Sequence, residues 1–392
     1  MQERNQLAHA KRVVVKIGSR VLVQRSGRLD LRRMAELVKD VTTLHRQGRE
    51  VVVVSSGAIA CGLQILGIRK RPEDLPTLQM AAAVGQLRLM AAYDKLFSPK
   101  KCRIGQVLLT HDDLEHRRRH LNARNSILKL LENRVIPIVN ENDAVAVDEI
   151  KFGDNDALAS RTAMLVQADL LVLLTTVNGF RTTDANGRVR KVNTLPCITK
   201  DVLSHATGKG SPFSTGGMAS KLTSAAEAAR MGTPVVIAGG RQNGVLQKIA
   251  AGGHTGTYIP PLAPTGCSKT ALNHRRRWVA FFHHAQGSIS IDEGACQALL
   301  CKGKSLLPVG VREIIGTFSP GDLIEIFNLE GQRIAQGLSS YSSAELRLLK
   351  GLKTAKIREL LGTEAPDEVI HRDNLVIPTD SPTGPSAATT IS

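Results

Sequence analysis

Residues 135–160 read VIPIVNENDAVAVDEIKFGDNDALAS and combine an apolar run with two clusters of polar side chains. The run at 135–139 is rich in β-branched residues and predicts a strand buried in a sheet. The chain turns polar at Asn140, returns as Gly-Asp-Asn-Asp at 153–156, and continues with a helical pattern over 157–166. Ligands of open α/β sheets bind beyond the carboxyl ends of strands, where helices begin. The stretch therefore predicts a site for a polar, amine-bearing small molecule.

Asparagine and aspartate also cap helices and form turns, and for Asp154 alone that structural role is the preferred interpretation. Two clusters twelve residues apart, each following an apolar or β-like segment, favour a binding site. The clusters alone do not identify a reaction.

Strands and helices alternate on both sides of this stretch. Strands are predicted at 12–16, 50–54, 104–109, 135–139 and 168–175, and helices at 31–47, 78–97, 122–132, 157–166 and from about 217 to 231. Repeated βα units predict an α/β fold with a largely parallel sheet and helices on both faces.

Several strands run directly into turns of small residues. Lys16 and Gly18-Ser19 follow the first strand, and Ser56-Gly57 follow the second. Backbone N–H groups in such turns suit phosphate or carboxylate oxygens. The run STGGMASK at 214–221 opens a helix, and its Gly-Gly fits an ordinary loop as well as it fits a phosphate site. No Walker A loop occurs, and no GxGxxG follows the first strand.

Length and composition argue against a membrane-spanning or a secreted protein. A chain of 392 residues can form two or three domains, and no apolar run approaches the length of about 20 residues that spans a membrane. The first ten residues are polar and predict no signal peptide. The six cysteines show no metal-ligand spacing, so we expect reduced thiols, a cytoplasmic protein and no protein-built metal site.

The net charge of +17 lies wholly in residues 1–274, which hold 39 Lys and Arg against 22 Asp and Glu. Such an excess attracts nucleic acids or polyanionic small molecules such as nucleotides. The densest basic run, at 116–120, is typical of a solvated helix face.

The composition changes after Pro260. The segment 263–274 is predicted to be a linker, and short strands follow at 278–282, 288–291, 314–318, 323–327 and 333–337, with a helix around 295–300. They predict a second, mostly β domain over 275–372. The tail 379–392 has no core-forming pattern and is predicted to be disordered.

Five motifs in register carry a resemblance to a known family. VVVKIGS, VVVVSSGAIACG, the 135–160 stretch, LLVLLTTVNGF and STGGMASK together resemble the amino-acid kinase superfamily over residues 11–262. More narrowly, NENDAV, GDND and TGGM resemble the glutamate 5-kinases. The resemblance implies a three-layer sandwich around a mainly parallel sheet. IDEGACQALL, GKSLLPVGV, FSPGDLIEI and GLSSYSSAEL resemble the PUA domain, a small β barrel that commonly follows this kinase domain.

The resemblance implies transfer of the γ-phosphoryl group of ATP to the side-chain carboxylate of L-glutamate, the committing step of proline synthesis. Mg²⁺ would enter with ATP. Glutamate 5-kinases are inhibited by proline and form oligomers, so both are expected here.

The matched positions imply roles for individual residues. Lys16 and Lys221 would hold charge on the transferring phosphoryl group, and Asp156 would orient both ammonium groups. The glutamate-binding positions are Ser56, Asp143 and Asn155, with Asn140 and Asp154 beside them. The implied ATP-binding positions are Lys16, Gly18, Ser19, Thr175, Thr176, Thr215, Gly216, Gly217, Met218, Ala219, Ser220 and Lys221.

One position departs from the family. Thr-Asp is usual where this chain has Thr175-Thr176, so a carboxylate is missing from the nucleotide-side turn.

Two other functions remain alternatives. The PUA resemblance permits an RNA-binding or RNA-modifying protein, although residues 275–374 are nearly neutral with one Trp and one Tyr, which favours a packing or assembly domain. A sister kinase for acetylglutamate, aspartate or carbamate is the other, and the NEND and GDND motifs favour glutamate over it.

Overall fold

The computed structural model describes residues 2–24, 26–146, 155–183, 188–206, 217–262, 285–361 and 366–377. The chain divides into two compact units, Met1–Pro264 and Thr265–Ser392. The predicted linker at 263–274, the strand at 278–282 and the tail at 379–392 lie outside the described residues.

The first unit alternates strands with helices. Its strands are β1 (Arg12–Ile17), β2 (Glu50–Val54), β3 (Arg103–Leu109), β4 (Val135–Glu141), β5 (Leu170–Thr175), β6 (Arg181–Thr183), β7 (Val189–Lys191), β8 (Val235–Gly239) and β9 (Thr257–Ile259). Its helices are α1 (Gln2–Asn5), α2 (Ser19–Leu22), α3 (Leu31–Arg46), α4 (Ala58–Ile65), α5 (Leu75–Phe97), α6 (His111–Glu115), α7 (Arg117–Glu132), α8 (Asn155–Leu165), α9 (Lys200–Ala206), α10 (Met218–Arg230) and α11 (Val245–Ala250). Short 3₁₀ turns lie at Gln6–His9 and Ser98–Lys100.

Seven strands form one sheet in the order β3-β4-β2-β1-β5-β8-β9. Every neighbouring pair is parallel except β8 and β9, which are antiparallel. The carboxyl ends of β2, β1 and β5 therefore lie side by side, and Lys16 is in register with Val54 on one neighbour and Leu173 on the other. This edge of the sheet is where a ligand site is expected.

Both faces of the central strands are buried, which explains their continuous apolar runs. Val13, Val15 and Ile17 belong to a core cluster that also contains residues of α3, α5 and α11. Side chains alternate along a strand, so Val14 and Lys16 point to the opposite face. Lys16 therefore leaves the sheet on the face away from that cluster.

The predicted α/β fold with a mainly parallel sheet is confirmed, but several element bounds differ. Helix α5 begins at Leu75 because Asp74 caps it and Pro76 fits the first turn. Helix α7 begins five residues before the predicted 122, because its first turn is basic and lacks the apolar periodicity that the prediction used. Strand β8 was not predicted, although it is a fully buried apolar run.

The second unit contains a five-stranded sheet in the order β11-β10-β12-β13-β14. Its strands are β10 (Gly287–Ile291), β11 (Val311–Gly316), β12 (Leu323–Phe327), β13 (Arg333–Leu338) and β14 (Leu375–Val376), and its helices are α12 (Glu293–Leu300), α13 (Ser343–Leu349) and α14 (Thr354–Leu361), with 3₁₀ turns at Pro308–Gly310 and Arg372–Asn374. Alternating isoleucines such as Ile289, Ile291, Ile324 and Ile326 fill its core. The predicted separate β-rich domain is confirmed, while β11 begins three residues before the predicted 314.

Among the described residues, no helix has the length and apolar character needed to cross a membrane.

Candidate active site

Three buried charged side chains meet at the carboxyl edge of the large sheet. Lys16 Nζ lies 2.5 Å from Asp156 Oδ1, and Lys221 Nζ donates to Asp156 Oδ2 at 2.8 Å. Asp156 is fully buried, and the two lysines are 5% and 6% exposed. The structure thus brings together the three residues that the sequence implied as catalytic.

Each member of this triad stands near the end of a strand or in the first turn of a helix. Lys16 is the penultimate residue of β1, Asp156 lies in the first turn of α8, and Lys221 lies in the first turn of α10. The positive end of the α8 dipole favours the Asp156 carboxylate. The amino end of α10 favours an anion near Lys221.

Asp156 remains ionised despite its burial. Desolvation is the largest single influence and raises its pKa, but the charges and hydrogen bonds of Lys16 and Lys221 together outweigh it, so the pKa lies below the usual carboxylate range. Two ammonium groups and one carboxylate leave the triad with a net positive charge. An excess of ammonium groups beside the amino end of α10 favours the binding of an anion.

A chain of side-chain amides lies beside the triad. Asn155, the neighbour of Asp156, donates through Nδ2 to Ser55 O at 2.5 Å and to Asn140 Oδ1 at 2.7 Å. Asn140 Nδ2 donates in turn to Gln86 Oε1 at 2.8 Å. Asn140 is the penultimate residue of β4 and is buried, whereas Asn155 is half-buried. The structure therefore joins the two sequence clusters, as their predicted common site requires.

The turn after β2 completes this side of the site. Ser55 Oγ is hydrogen-bonded to Tyr93 OH at 2.9 Å, and complete burial raises the pKa of Tyr93 to about 12. Ser56 follows and is half-buried. Gly57 has φ of +99° and caps α4, and a Cβ there would lie 2.9 Å from Val23 Cγ2. This position therefore requires glycine.

The remaining predicted glutamate-side residues lie near or beyond the edge of the described chain. Asp143 is half-buried in the turn after β4, where Asn142 N donates to Leu109 O at 2.9 Å. Asp154 and the preceding Gly153 lie outside the described residues. The role of Asp143 in binding glutamate stays a prediction.

The predicted nucleotide-side residues occupy the ends of β1, β5 and α10. Thr175 is half-buried at the end of β5, and its carbonyl accepts from Gly240 N at 2.7 Å, whereas Thr176 is exposed. The residues from Gly217 to Lys221 form the cap and first turn of α10. Thr215 and Gly216 lie outside the described residues.

Gly18 differs from its predicted role in one respect. Its N–H donates to Leu174 O at 3.0 Å and continues the pairing of β1 with β5. This N–H group is therefore already used within the sheet. Ser19, which is exposed, begins the short helix α2.

Several residues that the sequence prediction missed contact the helices that carry the triad. Burial and the charge of Arg161 lower the pKa of His111 to about 4, so its neutral ring accepts from Arg161 on α8. Ser160 on α8 donates to Glu227 Oε2 on α10 at 3.1 Å. No local pattern distinguishes these residues, because their partners are distant in sequence and meet only through helix packing.

The Ser160–Glu227 contact joins the two helices that carry Asp156 and Lys221. We expect Ser160→Ala to lower the free energy of unfolding by about 1–2 kcal/mol, because Ser160 is fully buried and Glu227 loses its donor. Urea unfolding followed by far-UV circular dichroism measures this loss. Ser204→Ala, at an exposed serine whose Oγ donates to Asp201 O within its own helix, is the matched control. Equal stability of the two variants would contradict the expectation.

Comparisons with known proteins identify the family of this chain. The model of the amino acid kinase family matches residues 11–239, and the PUA domain model matches residues 287–361. The glutamate 5-kinase of Syntrophotalea carbinolica is 45% identical over 95% of this chain and 98% of that protein. The glutamate 5-kinase of Pelobacter propionicus is 44% identical over 94% and 97%, and that of Moorella thermoacetica is 42% identical over 95% and 97%.

Both the kinase and the PUA resemblances seen in the motifs are thereby confirmed. The chain belongs to the amino acid kinase family and, within it, to the glutamate 5-kinases.

Proposed function

We propose that this protein transfers the γ-phosphoryl group of ATP to the side-chain carboxylate of L-glutamate and forms glutamate 5-phosphate, the first step of proline synthesis. The buried Lys16–Asp156–Lys221 triad carries the proposal, because its net positive charge suits a transferring phosphoryl group. The glutamate 5-kinases at 42–45% identity match nearly the whole chain and specify the acceptor.

Phosphoryl transfer requires the protein to align the two substrates and to place positive charge around the moving phosphoryl group, and it requires no covalent bond to the protein. A γ-carboxylate oxygen of glutamate attacks the γ-phosphorus, the bond from that phosphorus to the bridging oxygen breaks, and ADP leaves with the electron pair. The acceptor is already ionised at neutral pH, so no general base is needed. Lys16 and Lys221 approach the phosphoryl oxygens from β1 and α10, and Asp156 holds both ammonium groups in place.

Mg²⁺ is proposed to bind with ATP. The described residues contain no group of three or more His, Cys, Asp or Glu side chains that could hold a metal ion. At nucleotide sites Mg²⁺ is commonly held mainly by phosphate oxygens and water, and we propose the same here. When bound, it would neutralise part of the phosphate charge.

The test is ATP- and Mg²⁺-dependent turnover with L-glutamate, in which hydroxylamine traps the acyl phosphate as a hydroxamate. Parallel reactions contain acetylglutamate, aspartate, or bicarbonate with ammonia. We expect hydroxamate from glutamate and none from acetylglutamate or aspartate, and no ATP consumption with bicarbonate and ammonia. Turnover with another acceptor and none with glutamate would replace the proposal by a sister activity.

A measurement of ATP binding to the same protein addresses Thr176, which stands where the family usually has aspartate. We expect ATP binding to persist, because the triad and α10 supply the phosphate contacts. Loss of ATP binding in a folded protein would make Thr176 the first residue to examine.

Proline is proposed to inhibit the enzyme at or near the glutamate pocket, because the two amino acids share an α-carboxylate and a cationic amine. Saturating glutamate should then restore the rate at a fixed proline concentration. Inhibition that persists at saturating glutamate would contradict a shared pocket.

A homo-oligomer is also proposed. Leu87 and Met80 lie seven residues apart on one side of α5 and are 74% and 45% exposed, and Ile65 at the end of α4 is 40% exposed. Light scattering after size-exclusion chromatography measures the mass, and a monomer at micromolar concentration would contradict this proposal.

A further inference from the structure

The amide chain beside the triad has a direction that one backbone carbonyl sets. Ser55 O can only accept a hydrogen bond, so the group of Asn155 that faces it must be Nδ2. Asn155 Nδ2 also donates to Asn140, which requires Asn140 to present Oδ1 and to turn its own Nδ2 outward. Gln86 must then present Oε1 to Asn140. Three amides are thereby oriented in series.

This direction decides what Asn155 offers to a ligand. Both of its N–H groups donate to protein acceptors, so its Oδ1 is the part of the amide that remains for substrate. An oxygen of this kind accepts from an ammonium group and repels a carboxylate. Asn155 is therefore oriented to recognise an amine.

The far end of the chain shows that the orientation is imposed rather than accidental. Gln86 Nε2 is buried and has no hydrogen-bond partner among the described residues. Rotating the Gln86 amide would let Nε2 face Asn140, but two N–H donors would then oppose each other. Burying Nε2 of Gln86 without a hydrogen bond costs free energy. The orientation that carries this cost is the one in which Gln86 Oε1 accepts from Asn140 and the three amides keep one direction.

The position of Gln86 is held by close helix packing. A Cβ at the preceding Gly85 would lie 1.8 Å from Ala58 O on α4, and a Cβ at Gly62 on α4 would lie 1.7 Å from Ala81 O on α5. Tyr93, two turns after Gln86, bonds Ser55 Oγ. Helix α5 is therefore packed against the start of α4 beside Gln86 and bonded to the turn after β2 through Tyr93.

We propose that Gln86 is a positioning residue for the amino-acid substrate: by accepting from Asn140 Nδ2, it keeps Asn155 Oδ1 presented to the α-ammonium group of glutamate. The proposal rests on the proposed function, since it assumes that glutamate is the acceptor. Gln86 itself does not contact the substrate in this role.

The test measures glutamate KM, ATP KM and kcat for Gln86→Leu and Gln86→Glu, with the hydroxamate assay of the wild type run first. Leucine removes the oxygen that accepts from Asn140 Nδ2, so the amides of Asn140 and Asn155 are no longer held in one orientation. We therefore expect glutamate KM to rise about tenfold. We expect kcat and ATP KM to change less than about threefold, because the triad is intact. Glutamate at this position still accepts from Asn140, and its KM should stay within about threefold of wild type.

Two controls separate positioning from a general effect on folding. Gln297→Leu makes the same change at an exposed helical position of the second unit and should leave all three parameters unchanged. Glutarate lacks the amine, so its competitive inhibition constant should be equal in the wild type and Gln86→Leu.

A wild-type glutamate KM in Gln86→Leu would overturn the proposal, as would a Gln86→Glu variant no better than Gln86→Leu. A parallel rise in the glutarate constant would also overturn it, because the effect would then not concern the ammonium group. Absence of any wild-type product from glutamate would instead refute the proposed function, and the wild-type assay reports that separately.

Discussion

Asp156→Asn is expected to lower kcat by about 10²–10³-fold, because the variant no longer holds Lys16 and Lys221 at the transferring phosphoryl group. Asparagine keeps the size of the side chain but offers one acceptor oxygen and one donor, so at most one ammonium group can be bound as before. The measurement is kcat in the glutamate hydroxamate assay. Asp94→Asn is the matched control, since Asp94 is exposed and accepts only from Ser98 Oγ at 3.0 Å. A variant with wild-type kcat would remove Asp156 from the mechanism.

The same substitution should destabilise the unliganded protein by about 3 kcal/mol, because it removes the carboxylate that binds both buried ammonium groups. The pKa of Asp156 is lowered in the folded state, so the carboxylate contributes its stabilisation fully above the ordinary carboxylate pKa and loses it as the pH falls further. The difference in unfolding free energy between wild type and Asp156→Asn should therefore be constant between pH 6 and 8 and shrink below about pH 4. A difference that grows on acidification would contradict this assignment.

Lys221→Ala is expected to lower kcat by a similar factor of about 10²–10³, while glutamate KM changes less than about threefold. Lys221 is buried, bonded to Asp156 and placed at the amino end of α10, where we propose that it binds the transferring phosphoryl group. The measurement is the separate determination of kcat and of both KM values.

Lys248→Ala removes an exposed lysine from α11, the next helix in the chain, and is the control for the loss of one positive charge. If Lys221→Ala raises glutamate KM strongly at unchanged kcat, Lys221 binds the acceptor and does not stabilise the transferring group.

Much of the fold was predictable because its signals are local. The runs VVVK, VVVV and LLVLL are apolar on both sides and therefore read as central parallel strands, which they are. The bounds of α5 and α7 were less predictable, since a cap at Asp74 and a basic first turn carry no apolar periodicity. Strand β8 was missed although its burial is complete.

The residues of the candidate site also differ in how far the sequence could predict them. Lys16, Asp156 and Lys221 lie near turns and helix starts, which fit an ordinary loop as well as a ligand site, and the family resemblance implied their roles. Gln86, Tyr93 and Glu227 have no such signal, because each lies in the middle of an ordinary helix. Their partners are 38 to 67 residues away in the sequence.

The sequence by itself determined most of the central strands and the charges that must be neutralised, because these follow from apolar runs and from residue chemistry over a few neighbours. Only the tertiary structure decided that one carboxylate bridges two lysines from β1 and α10, and that three amides share one direction. Ion pairs and hydrogen bonds depend on distances and angles between atoms far apart in the chain. Those distances are set when helices pack on the sheet, and no local pattern encodes them.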